Sequence, residues 1–140
     1  MDTEIADMLF SPDPVAKLYR DLREALPDTL PVHKFSLPEK WNADKDGAAV
    51  VVADGAPQGG DTAHDRDLVR VTVHAPTRDL ARNLGRAIAD YLFSPIGGLG
   101  LAIIRTRSTR PIVGPDSLRG GYVSTASYSC GQSRRSINNV

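Results

Sequence analysis

The chain has 140 residues, the length of one domain, and its 17 basic residues balance 17 acidic ones. A neutral chain has no overall attraction to nucleic acid or to an anionic membrane, and a single cysteine, Cys130, excludes an intramolecular disulfide. The first residues lack the basic stretch of a secretory signal, and no apolar run approaches the ~20 residues of a membrane span. We therefore expect a soluble protein, made in the cytoplasm, with no membrane partner.

Apolar residues in positions 1–12, including Leu9 and Phe10, form an N-terminal arm ahead of the first helix. The arm either packs on its own domain or docks on another subunit. Asp13 is a suitable N-cap, and Pro14 fits the first helical position, where a missing N–H costs nothing. An apolar stripe at helical spacing follows and stops at Pro27. The pattern predicts an amphipathic helix between the two prolines.

Three strands are predicted before the second helix. Residues 30–37 form a short apolar segment, and residues 48–53 form a nearly continuous apolar run, typical of a strand inside a sheet. Residues 68–75 alternate valine with polar side chains, which indicates a half-buried strand. Between the last two strands, residues 56–65 are rich in glycine and polar residues and predict an extended hairpin loop.

The second half of the chain contributes one helix and two strands. Thr77 caps a helix that ends at a Ser-Pro pair. Residues 101–109 predict a strand whose second half is basic and extends past the core, and residues 111–121 predict a link. Residues 122–130 predict the last strand, and residues 131–140 a flexible polar tail.

This order predicts an α+β fold, a two-layer sandwich with a mainly antiparallel sheet of four to five strands and two helices on one face. Residues 13–130 form the single domain, between the arm at 1–12 and the tail at 131–140.

No set of side chains points to catalysis, a cofactor or a metal ion. His64 lies among loop aspartates that a divalent ion can use, but a flexible segment does not fix a coordination geometry, so a solvated loop is the favoured interpretation. Cys130 lies on the apolar face of its strand, where a buried structural thiol is favoured over a nucleophile. The glycine cluster at 97–100 lacks the lysine and the following helix of a nucleotide-binding loop. We expect no enzymatic activity.

The arginines form two groups, one on a helix flank and one on the outer half of a strand: Arg78, Arg82 and Arg86, then Arg105, Arg107 and Arg110. They can meet phosphates, or acidic patches on a neighbouring subunit. No aromatic residues are interleaved to stack bases, so the subunit contact is favoured over a nucleic-acid-binding module.

Several segments, in this order, resemble the tail terminator proteins of long-tailed (siphovirus-type) bacteriophages: Met8–Asp13, Leu30–Val32, Val50–Val52, Gly59-Gly60, Asp67–Val73, Pro115-Asp116 and Tyr122–Tyr128. The resemblance implies a structural virion protein without catalytic residues. It implies a ring, usually of six subunits, that caps the tail tube, ends its polymerisation and joins the tail to the neck of the head. The implied partners are further copies of the chain, the major tail tube protein and the head-tail connector or neck proteins. Genomic DNA would pass through the lumen without specific binding.

The implied location is the tail–neck junction of the virion, after assembly in the host cytoplasm. The residues expected to contact other subunits or the tube come from the arm, the hairpin loop and the basic strand: Leu9, Phe10, Gly59, Gly60, Asp61, Arg66, Arg105, Arg107 and Arg110. The tail at 131–140 lies outside the pattern of the family. The alternatives are another neck component, such as a head-closure protein, and a nucleic-acid-binding α+β module.

Overall fold

The computed structural model describes residues 9–10, 13–58, 64–95, 97, 101–133 and 135–136. Within these residues the fold is an α+β sandwich, as the sequence predicts, with three helices and a mixed six-stranded sheet. The elements follow in chain order: β1 (Leu9–Phe10), α1 (Pro14–Ala25), β2 (Val32–Lys34), α2 (Ala43–Asp46), β3 (Ala49–Gln58), β4 (His64–Ala75), α3 (Arg78–Leu92), β5 (Ala102–Ile104), β6 (Ile112–Pro115), β7 (Tyr122–Ser133) and β8 (Arg135–Ser136).

The main sheet has the strand order β2-β3-β4-β7-β5, and β6 pairs with the outer edge of β7 beside β5. All pairs are antiparallel except β2 and β3, which run parallel. A parallel pair needs a crossover connection of about a dozen residues, and the segment at 35–48, which contains α2, supplies it. The sheet is therefore mixed and one strand larger than predicted.

Strand β4 is the centre of the sheet. It pairs along its whole length with β7, from His64 opposite Ser133 to Ala75 opposite Tyr122. On its other side it pairs with β3, where the register shifts between Asp54 and Pro57. These strands continue well into the segment predicted as a loop at 56–65, because β3 runs to Gln58 and β4 starts at His64.

Helices α1 and α3 cover one face of the sheet and close the main core. Asp13 caps α1 by accepting a hydrogen bond from the backbone nitrogen of Val15, and Thr77 caps α3 through Leu80 in the same way, as predicted. The core combines the apolar stripes of both helices with the inward side chains of the strands: Val15, Leu18, Leu22, Ile88, Leu92, Val50, Val52, Val69, Val71, Val73, Ala126, Tyr128 and Cys130. The predicted alternation of β4 is confirmed, with its valines buried in this core.

The two helices are also joined by a polar contact. The Tyr91 hydroxyl donates a hydrogen bond of 2.6 Å to Oδ1 of Asp21, a buried carboxylate on α1. This bond and partial burial raise the pKa of Tyr91 to about 12. A charge-assisted hydrogen bond of this length fixes the spacing of the two helices on the sheet.

The opposite face of the sheet has only a small apolar cluster, in which Leu37, Ala49 and Val51 are buried and Trp41 packs against them. The segment at 35–47 covers this end of the face. Arg119 fastens this segment. Its Nη1 donates a hydrogen bond of 2.6 Å to the carbonyl oxygen of Pro38 and further hydrogen bonds to the carbonyl oxygens of Glu39 and Trp41. One face is thus closed by two long helices, and the described residues cover the other only at one end.

The two ends of the described chain meet in a two-stranded ribbon. Leu9 lies opposite Ser136, and Phe10 lies opposite Arg135, in an antiparallel pair separate from the main sheet. Positions 9 and 10 of the predicted arm are therefore extended. The tail at 131–140 begins as a continuation of β7 rather than after it.

Candidate functional site: an arginine groove beside α3

The predicted basic strand at 101–109 is wrong in its second half. Strand β5 stops at Ile104, and Arg105–Arg107 form a 3₁₀ turn with exposed side chains. The sequence contains no glycine or proline at this point that would predict the end of the strand. Side-chain hydrogen bonds accompany the interruption instead.

Two hydroxyls replace strand pairing after the turn. Ser108 Oγ donates to the carbonyl oxygen of Ile104, at 2.8 Å, and accepts from the backbone nitrogen of Ser129, at 2.9 Å. Thr109 Oγ1 accepts from the backbone nitrogen of Ser127, at 2.8 Å, and the Thr109 nitrogen donates to the Ser127 carbonyl, also at 2.8 Å. The segment from 105 to 111 is therefore tied to β7, and the arginines at its two ends extend from a fixed backbone.

The space between this segment and α3 forms a groove of about 370 Å³, which we call the arginine groove. Its lining includes Arg86 and Asp90 from α3, Arg105 and Arg110 from the tied segment, and the ring of Phe93. The Arg105 guanidinium lies over the Phe93 ring, 4.7 Å from its centroid. This cation–π contact holds the guanidinium in place and leaves its N–H edges available to a ligand.

The groove is basic and lacks internal neutralisation. Within the part of the chain that the structure describes, Arg86, Arg105 and Arg110 form no ion pair, although Asp90 lies in the same lining. Three guanidinium groups against one carboxylate give the groove a net positive charge. Its chemistry suits an anionic group, such as a carboxylate or phosphate, next to an apolar side chain that packs on Phe93.

A second concavity, of about 230 Å³, lies on the partly covered face of the sheet. Phe35 stands at its rim, 58% exposed and with a backbone φ of 70°, a conformation that few residues other than glycine adopt. This φ ends β2 earlier than the predicted strand at 30–37.

His74 lies in the second concavity, and its Nδ1 is 3.5 Å from Oδ2 of Asp116. Burial lowers the pKa of His74 below its ordinary value of 6.5. The Asp116 carboxylate acts in the opposite direction and raises it, whereas the positive charge of Arg119 lowers it further. The imidazole is therefore held as an uncharged group at neutral pH.

The structure describes six of the nine predicted interface residues, and they lie in different parts of the fold. It brings Arg105 and Arg110 together in the arginine groove, while Arg107 is exposed on the 3₁₀ turn and does not line the groove. Leu9 and Phe10 form β1, and Arg66 lies in β4 opposite Gly131. Gly59, Gly60 and Asp61 lie outside the described residues.

Sequence reasoning missed the role of Arg86, which it placed with a separate group on a helix flank. The spacing of Arg82 and Arg86 shows a basic flank on α3, but only the fold brings that flank beside the segment at 105–111. Phe93 was missed as well, since its position just before the Ser-Pro pair that ends the predicted helix gives no sign of contact with the arginines.

The remaining titratable candidates fall outside the groove. Burial raises the pKa of the Cys130 thiol to about 12, so it stays protonated at neutral pH, in agreement with the predicted structural role. Among the described residues, no three His, Cys, Asp or Glu side chains come together as metal ligands, and the loop at Asp61 that the metal hypothesis used is not among them.

No described helix is long and apolar enough to cross a membrane.

Compared with models of known protein families and with curated proteins, the sequence matches none.

Proposed function

We propose that this protein is a structural subunit of a bacteriophage tail, a tail terminator that forms a ring, six-fold by analogy with the family it resembles. The ring would cap the tail tube, end its polymerisation and join the tail to the neck proteins, with DNA passing through the lumen. The protein would act at the tail–neck junction of the virion, without catalysis, after assembly in the host cytoplasm.

The observation that carries this proposal is the arginine groove. It is a basic surface on a fixed backbone, and its three guanidinium groups form no ion pair within the described residues. Arginine is enriched where proteins contact each other, because its planar fork binds carboxylates with two hydrogen bonds. A ring of identical subunits needs such a surface on one side of each subunit and a complementary one on the other.

The order of elements agrees with the resemblance to the tail terminator family. Five of the segments that resemble the family overlap strands of the main sheet: β2, β3, β4, β6 and β7. The neutral chain also suits close contact between many copies, since self-repulsion is small.

Purified tail tubes provide the direct test. We expect the protein to bind one end of each tube and to stop the addition of tube subunits, seen by electron microscopy and by light scattering of a growing tube sample. Continued tube growth at saturating protein would contradict the proposal. Binding to isolated heads but never to tubes would instead identify a head-closure or other neck protein.

A charge-reversal pair tests the part played by the basic segment. Arg105→Glu with Arg107→Glu should leave the subunit folded, because both side chains are exposed, but weaken ring assembly and tube capping. Arg20→Glu with Lys45→Glu, two exposed positions on α1 and α2, makes the same change in net charge and should assemble normally. If both pairs assemble alike, the basic segment is not at the subunit contact.

The convergence of Arg86, Arg105 and Arg110 also favours, as a second candidate, a contact with nucleic-acid phosphates. Fluorescence anisotropy with a labelled DNA duplex at about 150 mM salt separates the two functions. Saturable binding that falls steeply with added salt and is lost in Arg105→Glu would support the nucleic-acid function.

A further inference from the structure

We infer that the arginine groove binds the acidic N-terminal segment, residues 1–8, of a second copy of this chain. This inference rests on the proposed ring and names the contact that would join its subunits.

The groove selects the chemistry of its occupant. Arg86, Arg105 and Arg110 surround a space in which Asp90 is the only acidic lining residue among those the structure describes, so the occupant must supply carboxylates or phosphates. Phe93, Ala89 and Pro111 give the same groove apolar walls, which a phosphate backbone would leave unused. The lining therefore fits a peptide in which acidic and apolar side chains alternate closely.

The sequence contains such a peptide at its start. Asp2, Glu4 and Asp7 lie within six residues, interleaved with Ile5 and Met8, and no lysine or arginine occurs before Lys17. Other acidic stretches are mixed with basic residues, as where Lys40 and Lys45 accompany the acids of positions 39–46. The first residues thus match the groove in both charge and apolar content.

The position of β1 favours a second copy of the chain as the source of the acidic peptide that binds the groove. Leu9 and Phe10 are held by pairing with β8, which follows the C-terminal end of β7, whereas the groove lies beside α3. A groove at one place and a complementary segment at another form a head-to-tail contact, the type that closes into a ring.

A peptide provides the first test, and it does not depend on ring formation. A fluorescein-labelled peptide of residues 1–10 should bind the full-length protein and should bind the variant Arg105→Glu with Arg110→Glu on the order of 10-fold more weakly or worse. A matched peptide with Asp2→Asn, Glu4→Gln and Asp7→Asn should lose binding to a similar degree. Equal binding of both peptides, or equal binding to both proteins, would overturn the inference.

Reciprocal charge reversal then tests whether the contact joins two copies. The groove variant, Arg105→Glu with Arg110→Glu, and an arm variant with Asp2, Glu4 and Asp7 each changed to Arg should both assemble poorly alone, measured by light scattering after size exclusion. Mixed in equal amounts, they should assemble again, because each groove then meets an arm of opposite charge. Arg20→Glu with Lys45→Glu is the control and should assemble as the unchanged protein does.

The outcomes separate this inference from the proposed function. Failure of the mixture to assemble overturns the contact between copies and points to docking of the arm on its own groove. Normal tube capping by both variants overturns the inference and leaves the tail terminator function in place. Reciprocal rescue without any effect on tube growth supports the contact and removes the function.

Discussion

The two faces of the sheet are closed by different means. Helices α1 and α3 cover one face with aliphatic side chains, and the buried valines of β3 and β4 pack directly against them. The other face holds a small cluster around Val51 and Trp41 and a covering segment fastened mainly by Arg119. Burial of apolar surface supplies most folding free energy, so stability should be concentrated on the helical face.

Neighbouring valines of β3 offer the sharpest test of this difference and the largest expected effect. Val52 is fully buried in the helical core, and Val51, on the other face, is 7% exposed beside the second concavity. We expect Val52→Ala to lower the free energy of unfolding by about 2–3 kcal/mol, and Val51→Ala by about 1 kcal/mol, since the concavity lets its surroundings relax. Urea denaturation measures both losses, and equal losses would show that the faces contribute alike.

The close approach of α3 to β7 gives the next effect. A Cβ added at Gly85 would meet Oγ of Ser124 and lie 3.0 Å from its Cβ. Overpacking costs about 1–3 kcal/mol, and the better helix propensity of alanine returns part of this, so Gly85→Ala should destabilise by about 1–2 kcal/mol.

Ser124→Ala is the matched rescue for that substitution. Ser124 Oγ is buried and has no hydrogen-bond partner among the described residues, so Ser124→Ala alone should be neutral or stabilising. Combined with Gly85→Ala, it should recover at least part of the lost stability in the same urea assay. An undiminished loss in the double variant would mean that the helix is not held this close to the strand.

The smallest effect concerns protonation on the second face. Because burial lowers the pKa of His74 below its ordinary 6.5, the folded protein binds this proton less readily than the unfolded chain. The contribution of neutral His74 to the free energy of unfolding is fully present above pH 6.5. It is lost as the pH falls from 6.5 towards the lowered pKa of His74. His74→Gln should flatten the pH dependence of stability in this interval.

A substitution at Asp116 provides a second test of the lowered His74 pKa. Asp116→Asn removes the carboxylate that opposes the effect of burial, so the pKa of His74 should fall further. An NMR titration of the imidazole measures both values. A pKa at or above 6.5 in the unchanged protein would contradict the buried, uncharged state.

The helical face was largely predictable from the sequence, and the second face was not. The Asp13 and Thr77 caps mark helix starts, and the valine alternation of β4 marks the core, because these signals are local. Strand β6 was missed within the predicted link at 111–121, and helix α2 was missed between the first two predicted strands. Their bonds are long-range, as where the Ala43 nitrogen donates to the Arg119 carbonyl, and no periodicity in the sequence records such a partner.

The candidate site shows the same limit. The sequence predicted Arg105 and Arg110 as contact residues on a strand, and the strand was wrong because the bonds of Ser108 and Thr109 to β7 have no sequence signal. It also kept Arg86 apart from them. Only the packing of α3 beside β7 joins the three into one groove.

The long β4–β7 ladder has a consequence for the speed of folding. Its nearest pair, Ala75 with Tyr122, already encloses α3, β5 and β6 within one chain loop. Closing such a loop costs chain entropy before any pairing compensates for it, so the centre of the sheet should form late and the whole chain should fold over milliseconds to seconds. During that interval the strands would be exposed to neighbouring chains, which favours aggregation at high protein concentration.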